Sequence, residues 1–173
     1  GIELLSRYGF RVSIQTKSDL VLRDVDVIAN RRELFDVGVT IITTDKWLTS
    51  KLEPRAPSPR RRAGVVERLS SEGVETWIFL GPVIPCVNDT NYHWAEIVEL
   101  AAETGSTVYY DKLNVRPYVY EALKPFLEQY VPEALTIIND RSEERRWMRR
   151  VFRSLESLCR KKGVRCQAAF SAT

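Results

Sequence analysis

The stretch Val37-Gly38-Val39-Thr40-Ile41-Ile42-Thr43-Thr44, with the segment from Asp45 to Leu80 that follows it, decides the fold. The first eight residues are a β-branched run of the kind that fills buried strands, and the run ends in hydroxyls. Asp45-Lys46-Trp47-Leu48 starts a short turn or helix, and Glu53-Pro54-Arg55-Ala56-Pro57-Ser58-Pro59 is a Pro-rich link. Arg60 to Glu72 reads as a helix, with Ser58 as N-cap, Pro59 at the first helical position and Gly73 as its stop. Val74 to Leu80 is again strand-like, so residues 37–80 make one strand-helix-strand unit.

Working outward, the same alternation extends both ways. An opening amphipathic helix ends at Tyr8-Gly9, Phe10 to Thr16 alternates like a strand, and Leu20 to Phe35 reads as a loosely periodic helix. On the other side, the prolines and Asn-Asp pair of Gly81 to Asp89 predict a loop. His93 to Thr104 is helical in composition with Gly105 as its cap, and Thr107 to Tyr110 is a further strand. Strands alternating with helices imply an α/β fold with a parallel sheet, either doubly wound or part of a barrel. Both arrangements gather ligands at the carboxyl ends of strands. Those ends are polar here: Thr16-Lys17-Ser18, Thr43-Thr44-Asp45, the 81–89 loop and Asp111 to Arg116. Beyond them, residues 118–173 read as a C-terminal helical extension, with one helix before Pro132 and a longer one from Ser142 to Lys162.

Composition narrows the class. The 173 residues are 44% hydrophobic and 28% charged, the range of one globular domain with a real core. A net charge of +3 does not by itself demand a nucleic-acid partner. Local charge is stronger, since Arg141 to Lys162 carries nine basic residues against three acidic ones. That segment reads either as a solvated face or as a phosphate-binding surface. Cys86, Cys159 and Cys166 form no CxxC and no disulfide framework, which points to a reducing cytoplasm. No apolar run reaches the roughly 18 residues of a membrane span. The chain opens at Gly1, and Ile2-Glu3-Leu4-Leu5 resembles the middle of a helix, the expectation for a fragment or for a processed terminus.

Four segments together resemble one family. Thr16-Lys17-Ser18-Asp19-Leu20-Val21-Leu22-Arg23-Asp24, Thr43-Thr44-Asp45, Glu53-Pro54-Arg55-Ala56-Pro57-Ser58-Pro59 with Arg62, and Pro82-Val83-Ile84-Pro85-Cys86-Val87-Asn88-Asp89 are similar to radical S-adenosylmethionine proteins close to spore photoproduct lyase and the DNA repair photolyase group. In the last segment Cys86 stands where that group usually has glycine. The resemblance covers residues 10–117 and implies that residues 1–117 are the C-terminal part of a partial (β/α)6 TIM-like barrel.

In the complete enzyme, the resemblance implies S-adenosylmethionine and a 4Fe-4S cluster held by a CxxxCxxC loop, with lyase or oxidoreductase chemistry. That loop is absent from these residues, so no metal ligand is expected here and the chain alone would be inactive. The implied cofactor contacts are Lys17, suited to the methionyl carboxylate, with Ser18 beside it; Thr43 and Thr44, whose hydroxyls suit ribose or amino group; and Glu53 and Arg62, paired with each other or bonded to the cofactor. Val83 and Ile84 would pack on adenine, and Asn114 and Arg116 would meet adenine or substrate. Cys86 is either a small semi-buried residue or a hydrogen-atom donor to a substrate radical. Asn88 and Asp89 are expected to cap the following helix, and His93 to be structural. The implied partners are the missing N-terminal part of the barrel and a substrate, nucleic acid among the candidates, with no membrane; exposed sheet edges would also admit a dimer. The other reading is a cluster-less half-barrel binding module that uses the basic segments for nucleic acid.

Overall fold

A computed structural model describes residues 1–169. Five parallel strands form one sheet in the order of the chain: β1 (Val12–Thr16), β2 (Phe35–Thr40), β3 (Glu75–Val83), β4 (Thr107–Lys112) and β5 (Cys166–Ala168). The helices are α1 (Ile2–Arg7), α2 (Val25–Ala29), α3 (Lys46–Leu52), α4 (Pro59–Ser71), α5 (Asn91–Thr104), α6 (Pro117–Tyr130), α7 (Glu133–Asn139) and α8 (Arg141–Lys161). The strand order never reverses, so the sheet has no topological switch point of the doubly wound kind. It is a parallel arc of the partial-barrel type, with helices on its outer face.

The alternation of side chains explains the two faces. Val37 and Val39 of β2, Ile78 and Leu80 of β3, and Val108 and Tyr110 of β4 point outward and are buried. They pack against Val65, Val66 and Leu69 of α4, Trp94, Ile97 and Val98 of α5, and Trp147, Val151 and Leu155 of α8. A second, smaller core lies among Leu48, Ile84, Val87, Leu113, Leu127 and Ala134, which joins α3, α6 and α7 to the loops beyond the strand ends.

Local signals place several boundaries. Ser58 accepts a hydrogen bond from the Arg61 amide, Pro59 opens α4, and Gly73 takes φ +74 after its end. Asp45 caps α3 by accepting from the Leu48 amide, and Asp140 accepts from the Ser142 and Glu143 amides at the start of α8.

Several expectations change, beginning with the second strand, which spans Phe35–Thr40 rather than 37–44. Leu20 to Phe35 is not one helix: it is a 3-10 turn (Asp19–Asp24), the short α2, a second 3-10 turn (Arg32–Leu34) and the first residue of β2. Its valines and isoleucine are β-branched and its aspartates compete for backbone amides, which weakens continuous helix. The strand expected at 74–80 runs on through Gly81, Pro82 and Val83, with a register shift against β4 between Leu80 and Val83 that accommodates the proline. Two further elements, α7 and β5, were not legible. Because β5 pairs with β4, matching Cys166 to Val108, the segment beyond residue 117 contributes a strand to the sheet as well as helices. Residues 170–173 of the expected extension lie outside the described residues.

Candidate functional site

The carboxyl ends of β1 and β2 meet the segment that leads into α4. Glu53 ends α3 with its side chain 7% exposed, and it draws in two cations: Lys17 Nζ at 2.7 Å and Arg62 Nη2 at 2.7 Å. Arg62 is fully buried and donates from Nη1 to the Thr40 carbonyl at 2.9 Å, where β2 ends. The Glu53 contacts are close, yet neither carboxylate oxygen nor Arg62 Nε or Nη2 completes an aligned hydrogen bond. These groups therefore attract as charges and keep hydrogen-bonding capacity unspent, in a place where burial makes that costly.

Lys17, Ser18 and Glu53 line a cavity of about 460 Å³ together with Pro54, Arg55 and Pro57. The Ser18 hydroxyl accepts from the Leu20 amide at 3.2 Å, and the Lys17 side chain is 47% exposed. This cavity brings together three of the residues named from the sequence, with Arg62 behind it. Asn114 and Arg116 lie elsewhere, in an opening of about 340 Å³ beyond β4 lined also by Phe79, Pro82 and Lys112.

Thr43 and Thr44 part company. Thr43 is fully buried; its hydroxyl accepts from the Asp45 amide at 3.1 Å and lies 2.9 Å from His93 Nδ1. Burial lowers the His93 pKa below its ordinary value, against the opposing pull of Asp45 and Asp89. The ring is held neutral beside the Thr43 hydroxyl, with which it shares one proton in a hydrogen bond whose direction follows the imidazole tautomer. Thr44 lines a groove between α4 and α5 on the outer side, with Lys46, Arg60 and Glu96. The side chains of Val83 and Ile84 are buried in the two cores.

The loop after β3 is held by one side chain. Asn88 donates to the carbonyls of Ile42 and Pro82 at 3.0 and 3.1 Å and accepts from the Ile84 amide at 2.7 Å. Its own carbonyl accepts from Trp94 Nε1. Asp89 accepts from the Cys86 amide at 3.0 Å and from Trp147 Nε1 at 2.7 Å. The expected helix-capping role is thus overturned for both residues: Thr90 occupies the N-cap of α5 without a side-chain bond, because Asn88 and Asp89 are committed to the loop. Cys86 sits at φ +59, in the left-handed region that favours glycine. Burial first, then Asp89 and Glu133, pushes its thiol pKa up. It is half-buried and protonated, unlike a reactive thiolate.

Cys159 lies within α8, Cys166 in β5, and Cys86 at the strand ends. Among the described residues, no three His, Cys, Asp or Glu side chains converge as a metal site. The chain's own donors do not fit an iron-sulfur cluster.

The inner face of the sheet carries residues that the sequence reading passed over. Trp77 Nε1 donates to Asp36 Oδ1 at 2.7 Å, and Ser13 donates to the same oxygen at 2.6 Å. Trp77 and Tyr109 meet edge to face, with centroids 5.4 Å apart. The signal was the period-two placement of Trp77 and Phe79 among the outward-facing Thr76, Ile78 and Leu80.

No family model matches the chain. An uncharacterized protein of Methanocaldococcus jannaschii is 30% identical over 145 residues, covering 84% of this chain and 53% of that protein. An uncharacterized protein of Mycobacterium tuberculosis is 27% identical over 108 residues, covering 61% of this chain and 32% of that protein. The chain thus spans between about a third and about half of these relatives. Among solved structures, Streptococcus suis SuiB bound to S-adenosylmethionine is similar with a TM-score of 0.55 and 12% identity, over 96% of this chain and 33% of that one. A spore photoproduct lyase mutant with bound AdoMet and dinucleoside spore photoproduct has a TM-score of 0.51 and 11% identity, over 94% of this chain and 51% of that one. At these identities the likeness shows a shared fold: the chain has the α/β architecture of part of these S-adenosylmethionine-binding structures. No described helix is long and apolar enough to cross a membrane.

Proposed function

We propose that this chain is the C-terminal part of a radical S-adenosylmethionine enzyme and supplies cofactor contacts at the carboxyl ends of its strands. The observation that carries the reading is the Lys17, Glu53 and Arg62 cluster, which leaves buried polar capacity unspent beside an open cavity in a fold shared with S-adenosylmethionine-bound proteins.

S-adenosylmethionine fits that cluster by charge. The Glu53 carboxylate would accept from its ammonium group, Lys17 would meet its carboxylate, and Ser18 would stand beside them. Arg62 positions Glu53 from behind. Asn114 and Arg116 would face adenine or substrate from the neighbouring opening, and Thr44 lies outside this geometry in the outer groove. The cofactor would supply a 5′-deoxyadenosyl radical in a complete enzyme; the iron-sulfur ligands would come from the missing N-terminal part of the barrel. That part would continue the sheet at β1, which pairs only with β2 among the described strands. Cys86 keeps its thiol protonated, the form a hydrogen-atom donor needs.

The test is S-adenosylmethionine binding by the protein from its complete reading frame, measured by calorimetry under anaerobic conditions. Lys17→Ala and Glu53→Gln are expected to weaken binding by about tenfold or more. Unchanged affinity in both variants would reject the site.

A second reading, a nucleic-acid-binding module, is favoured by α8. Arg145, Arg149 and Arg153 are exposed one turn apart along it, and none is ion-paired among the described residues. Its signature would be affinity for oligonucleotides that falls steeply with salt.

A further inference from the structure

Trp77 and Phe79 lie on the inner face of β3, each against a glycine. A Cβ built on Gly38, the residue level with Trp77 on β2, would stand 2.3 Å from three atoms of the indole's six-membered ring. A Cβ on Gly81 would stand 2.4 Å from the tip of the Phe79 ring. Each glycine therefore leaves room for a ring to lie along the sheet, where another side chain would force it upright. Tyr109 walls one side edge-on. What remains is a cavity of about 360 Å³. Phe79 also borders the separate opening that holds Asn114 and Arg116.

The composition of this face separates a ligand site from a patch of unfinished core. Interior barrel layers are filled by branched aliphatic side chains. Here the rings share the cavity with Ser13, Gln15, Asp36, Glu75 and Ala169, and among the described residues no Lys or Arg lines it. Aromatic surfaces with a few placed polar groups characterise small-molecule sites. Asp36 adds a direction: Ser13 and Trp77 both donate to Oδ1, and among the described residues Oδ2 accepts from nothing.

We propose that this inner face binds a planar aromatic ring bearing an N–H donor, which stacks on Trp77 and Phe79 and donates to Asp36. Ring stacking supplies the affinity, and the carboxylate selects amino-substituted or cationic heteroaromatics over anionic ones. The site stands apart from the Lys17 and Glu53 cavity and does not depend on how that cavity is read.

Calorimetry on the full-length protein would use aminoquinoline, quinoline carboxylate and cyclohexylamine as probes. Aminoquinoline is expected to bind at least about tenfold more tightly than either of the others. Asp36→Asn should reduce that preference by about tenfold, and Trp77→Leu should weaken both planar probes alike. Gly38→Ala, which pushes the indole into the cavity while retaining every ring, should also weaken them. If these variants unfold, Phe79→Leu and magnetisation transfer from the probe to the Trp77 ring in the unaltered protein decide the matter. Equal binding of the three probes, no binding at all, or a preference untouched by the substitutions overturns the proposal. Because no probe is S-adenosylmethionine, failure here leaves the cofactor reading standing, and the reverse also holds.

Discussion

Arg62 of α4 sets its guanidinium 2.7 Å from Glu53 at the end of α3, and the same group holds the last carbonyl of β2. One fully buried cation thus ties a helix, a strand end and the loop that borders the Lys17 cavity.

Removing that cation leaves a carboxylate that is 7% exposed with Lys17 as its remaining partner. Arg62→Met is expected to destabilise the fold by about 3–5 kcal/mol, the usual cost of breaking a buried pair. The double variant with Glu53→Gln should recover part of that loss. Urea unfolding of the two variants measures both effects.

At Cys86, the backbone conformation costs a side chain something that glycine avoids. Cys86→Gly should therefore stabilise the protein by about 1 kcal/mol, whereas Cys86→Val should destabilise it by more than that. Melting temperatures of the pair give the sign directly.

His93 makes stability depend on pH. Its folded-state pKa is lowered from 6.5, so below that value the unfolded chain binds more protons than the folded one. The stability it contributes is fully present above 6.5 and is lost as pH falls through 6.5 toward the folded value. Between about pH 7.5 and about pH 5 the unaltered protein should lose more unfolding free energy than His93→Gln, which cannot titrate. Denaturant curves at the two pH values show the difference.

Asp89 couples α8 to the loop after β3 through Trp147. Asp89→Ala strands both the Trp147 indole N–H and the Cys86 amide, and should cost about 1–3 kcal/mol. Hydrogen exchange is expected to accelerate at residues 84–88 rather than across the sheet. Uniform acceleration would show that the bond does not hold the loop locally.

Legibility followed the range of the interactions. Ser58, Pro59 and Gly73 announced α4 because caps and turn residues act within a few positions of themselves. The helix expected at 20–35 failed because β-branched and acidic residues tip a weakly periodic segment, and only packing decides the outcome. Strand β5 has three residues, too few for a periodic signal, and it exists through pairing with a strand more than fifty positions earlier. Asn88 and Asp89 stand where helix caps stand, yet partners distant in sequence claimed both. Thr43 and Thr44 are adjacent in sequence, but one is sealed inside and the other faces the outer groove, because successive residues point in different directions as the chain leaves a strand.

By itself the sequence determined an α/β chain of parallel strands and crossovers, with polar chemistry concentrated at strand ends, because hydrophobic period and capping are local properties. Only the tertiary structure decided which of those ends meet. Lys17, Glu53 and Arg62 converge on one cavity, Asn114 and Arg116 border another, and the aromatic inner face lies between strands far apart in sequence. Register and helix packing set those distances, and both are collective outcomes of a core that no single segment encodes.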